Sequence, residues 1–223
     1  VTRIVALAGR SPDEPVHDIV FRNLRFSVSR FGADFVETKR GTHGDTPWNE
    51  PANKEAAVYL EHAERCAVER CEIDNAGYSG LALVWSGRHN RFVGNRIRDC
   101  GFHGALLSGY RAQFGRAMDL NRENEVANNW IHHCGRLVGH AAGVFVWASG
   151  RNRIVHNRIH DMPRYGICLK GQRWGGQFEG AKMGGEAVTR ENHWDFVHSR
   201  ENRIAFNDIS LVAADSEDNG FVS

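Results

Sequence analysis

The chain has 223 residues, 28 Lys+Arg against 27 Asp+Glu for a formal charge of +1, and a composition that is 41% hydrophobic and 10% aromatic. Such a length suits one domain with a real core, which excludes a disordered chain, and the balanced charge excludes a general field for nucleic acid or an anionic membrane. The longest apolar run, eight residues at 141–148, is far shorter than the roughly twenty that span a bilayer. What stands out is 24 Gly and 16 Asn against 5 Pro, with glycine above its usual share of about 7%.

Taken in chain order, the sequence is a repeat. A degenerate copy begins at Asp18 and puts Asn23 in register, and C-A-V-E-R-C-E-I follows at 66–73 with Cys at both Asn positions. The phrases N-R-F-V-G-N-R-I at 90–97, N-E-V-A-N-N-W-I at 124–131, N-R-I-V-H-N-R-I at 152–159 and N-R-I-A-F-N-D-I at 202–209 each carry two Asn five positions apart. A glycine and alternating apolar residues then follow: G-L-A-L-V at Gly80, G-A-L-L-S at Gly104, G-V-F-V-W at Gly143, G-I-C-L-K at Gly166 and G-F-V at Gly220. Period-two alternation excludes a helical repeat, and a minimum unit near 24 residues is too short for a propeller blade of roughly 40–45.

This pattern predicts an all-β fold, a single-stranded parallel β-helix of about six coils stacked about 4.8 Å apart. The second Asn of each phrase is expected to form a ladder, satisfying turn backbone groups and the Asn of the next coil. Glycine falls where a Cβ would clash. The five cysteines include no C-x2-C pair, which excludes a zinc pattern, and their odd number argues against a disulfide framework. Cys100 and Cys134 occupy one repeat position and are expected to stack at a turn.

Alternation aims Leu81, Leu83, Ala105, Leu107, Val144, Val146, Ile167 and Leu169 inward. It aims two columns outward: Ala82, Leu106, Phe145 and Cys168, then Val84, Ser108, Trp147 and Lys170. Long inserts follow these glycine strands at about 110–122 and 172–200, and solenoid inserts concentrate on the binding face. That outer face is the expected cleft, where Trp147, Phe145 and Trp85 either stack on sugars or pack beneath the inserts. The turn into each glycine strand borders the same face and carries Asn75, Asp99, His133, Asp161 and Leu211. One coil adds His160, Arg164 and Tyr165 to Asp161, and the next brings Asp215, Glu217 and Asp218. Acids on adjacent coils stand roughly 5 to 10 Å apart, the range of retaining (~5 Å) and inverting (~6.5–9.5 Å) glycosidases.

The repeats resemble the right-handed parallel β-helix superfamily of pectin lyase-like proteins. More closely, N-R-I-H-D-M-P-R-Y-G-I followed one coil later by D-S-E-D-N-G is similar to a bacterial branch of β-helix glycoside hydrolases of the fucosidase and xylanase type. V-H-D-I-V-F-R-N-L-R-F and A-A-V-Y-L-E-H-A-E-R-C-A-V-E-R-C add to the likeness, while Phe221 and the insert at 172–201 depart from it. The resemblance implies a plant or microbial polysaccharide as substrate, hydrolysed by Asp161 and Asp218, with Asp215 as substitute. His160, Arg164, Tyr165, Trp147, Lys170, His133 and Asp99 would contact substrate. It also implies an extracellular or periplasmic location and no cofactor. A single β-helix domain over 1–223, belonging to a longer chain, is expected.

Two other functions stay open. A polysaccharide lyase would neutralise a uronate and draw its base from Lys170, Arg164, Tyr165 or His133. A carbohydrate-binding solenoid would use the aromatics and no acid pair. A transition-metal site is not expected, although His132, His133, His140, His156 and His160 crowd two coils. His132 and His133 are consecutive and should point apart, and His156 sits beside the Asn ladder. Calcium on Asp99, Asp161 and Asp218 lacks an acidic loop signature. The glycine-rich run at 175–185 lacks the G-K-[ST] ending of a phosphate cradle.

Overall fold

The computed structural model describes residues 1–32, 54–109, 121–171, 182–183, 186–214 and 220–222. Residues 110–120 of the first long insert and 172–181 and 184–185 of the second lie outside the described residues. Each repeat is one coil of three parallel strands. The first sheet runs Val5–Ala8, Ala56–Glu64, Ser79–Arg88, Ala105–Ser108, Ala142–Trp147, Tyr165–Lys170 and Gly220–Val222. The second collects Val20–Arg22, Ala67–Glu69, Arg91–Val93, Glu125–Ala127, Arg153–Val155 and Arg203–Ala205. The third collects Arg25–Ser27, Glu72–Asp74, Arg96–Arg98, Trp130–His132, Arg158–Met162 and Asp208–Val212. With six strands in each of the last two sheets, the described residues make six coils of a right-handed β-helix. Among the described residues no helix is long and apolar enough to cross a membrane.

The core is the axis of this coil. Ile73, Ile97, Ile131 and Ile159 stack in register in the third sheet and are no more than 1% exposed. They meet the inward Leu81, Leu83, Leu107, Val144, Val146 and Ile167 of the first sheet. Gly80, Gly104 and Gly143, near the start of three first-sheet strands, are dictated by Ile97, Ile131 and Ile159. A Cβ on Gly143 would stand 2.4 Å from Ile159 Cγ2, and one on Gly80 would stand 2.5 Å from Ile97 Cγ2. The Cys100 and Cys134 thiols do stack, in hydrogen-bond contact, and that contact together with burial pushes the Cys100 thiol up and keeps it neutral.

Both Asn of the phrase form ladders, not the second alone. Asn95, Asn129, Asn157 and Asn207 form one: Asn129 Oδ1 accepts from the Asn95 backbone N–H at 2.8 Å and from Asn95 Nδ2 at 3.0 Å, while Asn129 Nδ2 donates to the Phe92 carbonyl at 2.8 Å. Asn90, Asn124, Asn152 and Asn202 repeat the arrangement at the preceding bend, with Asn90 N–H donating to Asn124 Oδ1 at 3.0 Å. Every ladder Asn follows a residue with positive φ, such as His89 at 58°, Asn128 at 55° or His156 at 56°. A left-handed residue at the bend turns backbone groups inward, and the following amide supplies partners for them. Cys66 and Cys71 take the same slots, their thiols 3.8 and 3.7 Å from the Val16 and Phe21 carbonyls.

Outside, the second sheet carries an alternating ion ladder. Arg22 meets Glu69 at 2.8 Å, Glu69 meets Arg91 at 3.1 Å, and Arg91 meets Glu125 at 3.2 Å. These pairs are exposed and individually worth little, about 0 to 1 kcal/mol. The ladders inside carry the stability. Asn129→Ala leaves the buried Asn95 N–H and Phe92 C=O without partners, so unfolding free energy should fall by about 2–4 kcal/mol in urea titration. A loss under about 1 kcal/mol would show that the ladder is not structural.

Candidate functional site

The third sheet ends, coil after coil, in a residue with left-handed backbone: Asn75 (φ 52°), Asp99 (54°), His133 (55°), Asp161 (53°) and Leu211 (49°). The column identified from the sequence is therefore one bend repeated up the molecule. In a straight strand, neighbouring side chains face opposite ways. The left-handed residue cancels that alternation and brings its side chain back beside its predecessor. Arg98 Nη1 donates to Asp99 at 2.8 Å, His132 Nδ1 stands 2.9 Å from His133 Nδ1, and His160 Nδ1 stands 2.5 Å from Asp161 Oδ2. This corrects the expectation that His132 and His133 diverge.

Stacking joins the pairs. The His132 and His160 rings lie parallel, with centroids 5.0 Å apart and planes within 3°. Trp130 Nε1–H donates to His160 Nε2 at 2.7 Å. Indole N–H is a donor only, so His160 Nε2 carries no proton there and the ring proton sits on Nδ1, facing Asp161. Trp130 is in turn held between Arg96 and Arg158, whose guanidinium carbons lie 4.7 and 5.9 Å from its ring centroid. One coil earlier, Arg98 spans Asp99 and the buried Asp74 at 3.1 Å, and Arg25 takes Asp74 from the other side at 2.8 Å.

The electrostatics follow from these contacts. The hydrogen bond from His160 holds the Asp161 carboxyl below the usual carboxylate range; partial burial opposes this, and the neighbouring His133 adds to it. Burial, then the nearby His160 and His133, lowers His132 to about 4. Burial pushes the Asp74 carboxyl up, but hydrogen bonds from Arg25 and Ser27 and the Arg98 charge outweigh it and leave it lowered. Asp161 is thus an ionised carboxylate at the surface, with its side chain 36% exposed. It can act as base, nucleophile or cation ligand. His160 cannot accept a proton at Nε2 while Trp130 occupies it.

His133, His160 and Asp161 place three possible ligand atoms within 4.8 Å of one another, with His133 Nε2 3.9 Å from Asp161 Oδ2. The sequence offered no such convergence, because it expected the histidines to point apart. A cation on His160 Nδ1 would move the ring proton to Nε2, opposite the Trp130 N–H. The donor set therefore fits a metal only if Trp130 turns away.

The other expected residues divide. Tyr165 is 1% exposed, with Arg164 and Lys170 charges 5.0 and 5.7 Å from its ring, and Arg164 Nη1 lies 3.3 Å from His140 Nδ1. Trp147 and Phe145 are 4% and 0% exposed and join Tyr59, Leu106, Tyr165 and Cys168 in a second apolar cluster on the outer face of the first sheet. They pack instead of offering open stacking faces, the second of the two readings the sequence left open for these rings. Asp215, Glu217 and Asp218 lie outside the described residues. Trp130 and Arg98 were missed by sequence reasoning, and His132 was weighed only as a metal ligand, although each flanks an anchoring isoleucine and alternation points all three outward.

A family model described as a right handed beta helix region matches residues 22–182, most of the chain. No curated protein and no solved structure matches it.

The histidine shifts set a pH dependence. Between its ordinary 6.5 and about 4, His132 is protonated in the unfolded chain and neutral in the fold, so stability is full above that window and falls as pH drops through it. His198, lowered to about 4 chiefly by burial, adds to the same slope. Asp161 acts only lower, below the usual carboxylate range. The thermal midpoint should fall from pH 6.5 to 4 and fall less steeply in His132→Asn; parallel curves would refute the assignment to His132.

Proposed function

We propose, for a chain that belongs to the right-handed β-helix family, that it is a carbohydrate-active enzyme: a glycoside hydrolase of plant or microbial polysaccharide, acting outside the cytoplasm. β-Helix domains of this kind occur in such enzymes. The observation that carries the proposal is Asp161, a surface carboxylate kept ionised and aimed by His160 in a column that also holds His133 and Asp99. An ionised carboxylate suits the base of an inverting hydrolase or the nucleophile of a retaining one. Its partner acid is taken to be Asp218, with Asp215 as substitute, from the sequence just before Gly220; both lie outside the described residues.

Each group has a distinct task in this proposal. Asp161 activates water or attacks the anomeric carbon while Asp218 protonates the departing oxygen. His160 orients Asp161 without taking the proton itself. Asp99 and His133 contact sugar hydroxyls in the same column, and Arg164 and Lys170 contact the chain at the neighbouring corner. A uronate lyase draws on the same Arg164 and Lys170, but one of its candidate bases, Tyr165, is buried at 1% exposure.

Release of reducing ends from pectic, xylan and fucosylated glycans should be detectable, and Asp161→Asn and Asp218→Asn should each lower the rate by about 10²–10⁴-fold while glycan binding persists. Undiminished turnover in both variants would defeat the pair. An ultraviolet-absorbing unsaturated product would make the enzyme a lyase, and binding with no product after long incubation would make it a lectin-like solenoid.

A further inference from the structure

A second place on the molecule holds nucleophile chemistry, at the corner where the first sheet turns toward the second. The paired strands Ala56–Glu64 and Ser79–Arg88 are irregular at the same level. Glu61 pairs with Val84 and Ala63 with Gly87, so His62 stands opposite both Trp85 and Ser86. His62 (φ 45°) and Trp85 (φ 62°) are both left-handed. Bulges re-aim side chains and recur beside active sites. Here they turn His62 and Ser86 together, with Nδ1 and Oγ 2.7 Å apart. The left-handed His62 also comes back beside its predecessor, as in the third sheet, leaving its Nε2 3.6 Å from Glu61 Oε1. Tyr59 Oη donates to the other oxygen of Glu61 at 2.8 Å and holds that carboxylate in place.

The pair is buried but borders a cleft. His62 and Ser86, each 8% exposed, line a cleft of about 420 Å³ together with Arg88 and Arg122. Arg88 is paired with Glu64 at 3.0 Å, and Arg122 is held loosely by Glu123 at 3.9 Å. A hydroxyl on an imidazole with a carboxylate near the other ring nitrogen is the arrangement nucleophilic acyl transfer uses, and a guanidinium in the same cleft adds positive charge.

We propose that this cleft is a serine acyl-transfer site for small carboxylic esters, separate from the Asp161 column. Ser86 Oγ attacks the ester carbonyl and its proton passes to His62 Nδ1, which returns it to the departing alkoxide. The bond between carbonyl carbon and alcohol oxygen breaks and an acyl-serine remains. Water, deprotonated by the same nitrogen, then attacks the acyl carbon, releasing carboxylic acid and restoring the serine. Glu61 is a positioning residue, orienting the ring through Nε2, and Arg122 bears on the charge that develops on the carbonyl oxygen.

The test uses the whole chain, a fluorophosphonate and 4-nitrophenyl acetate. The fluorophosphonate should form one adduct with loss of fluoride, located on the peptide bearing Ser86 by mass spectrometry. Ser86→Ala should abolish adduct and ester hydrolysis, and His62→Ala should slow both by about 10²–10⁴-fold. Glu61→Gln should lower kcat by roughly tenfold, at the low end of an acid–base contribution, with KM and thermal midpoint unmoved. An adduct on another residue, labelling that survives in Ser86→Ala, or no adduct on the folded wild-type chain would each overturn the proposal. Mapping the adduct in the wild type needs no variant to fold.

Discussion

Everything in this molecule rests on giving the backbone partners at bends that have no room for water. A coil of three short strands must turn three times, and two of those turns place amides and carbonyls in the interior. The two Asn ladders answer both at once. Asn129, for example, accepts from the coil before it, donates to a carbonyl, and passes a second bond to the next Asn. An unpaired buried amide costs about as much as several of the surface ion pairs contribute. The ladder therefore decides where the chain bends, and the strands between fill in.

The same demand explains the left-handed residues, and through them the chemistry. A bend that sends the chain into the next sheet uses positive φ, and positive φ folds a side chain back onto its neighbour. Structural necessity thus yields adjacent pairs at the surface: Arg98 with Asp99, His132 with His133, His160 with Asp161, and Glu61 with His62 at the bulge. A His–Asp contact of 2.5 Å between consecutive residues needs no special loop. It follows from the backbone that the repeat requires anyway.

Much of this was legible because the repeat forces residue type. Isoleucine, glycine and asparagine recur for reasons of volume and hydrogen bonding, so coil number, register and the Asp99–His133–Asp161 column could be read directly. Four things could not. The first Asn of each phrase looked like a spacer, since its role depends on an inward bend that its neighbour's φ creates. The convergence of His132 with His133 depends on φ and runs against strand alternation. The burial of Phe145 and Trp147 depends on what covers an outer face, which alternation does not specify. The approach of His62 to Ser86 depends on two bulges aligning across a strand pair, where the residue count of each strand taken singly says nothing.

The left-handed pairs also bear on how such a molecule can change. Substituting Ile131, Gly143 or Asn129 disturbs the coils on both sides, because each is clamped by its equivalents above and below. A pair such as His132–His133 is built from the backbone of its own coil and projects outward. Tolerance to mutation should therefore rise and fall with the period of the repeat. New surface chemistry can be introduced one coil at a time, by local drift at paired positions, while the positions between them hold the architecture constant.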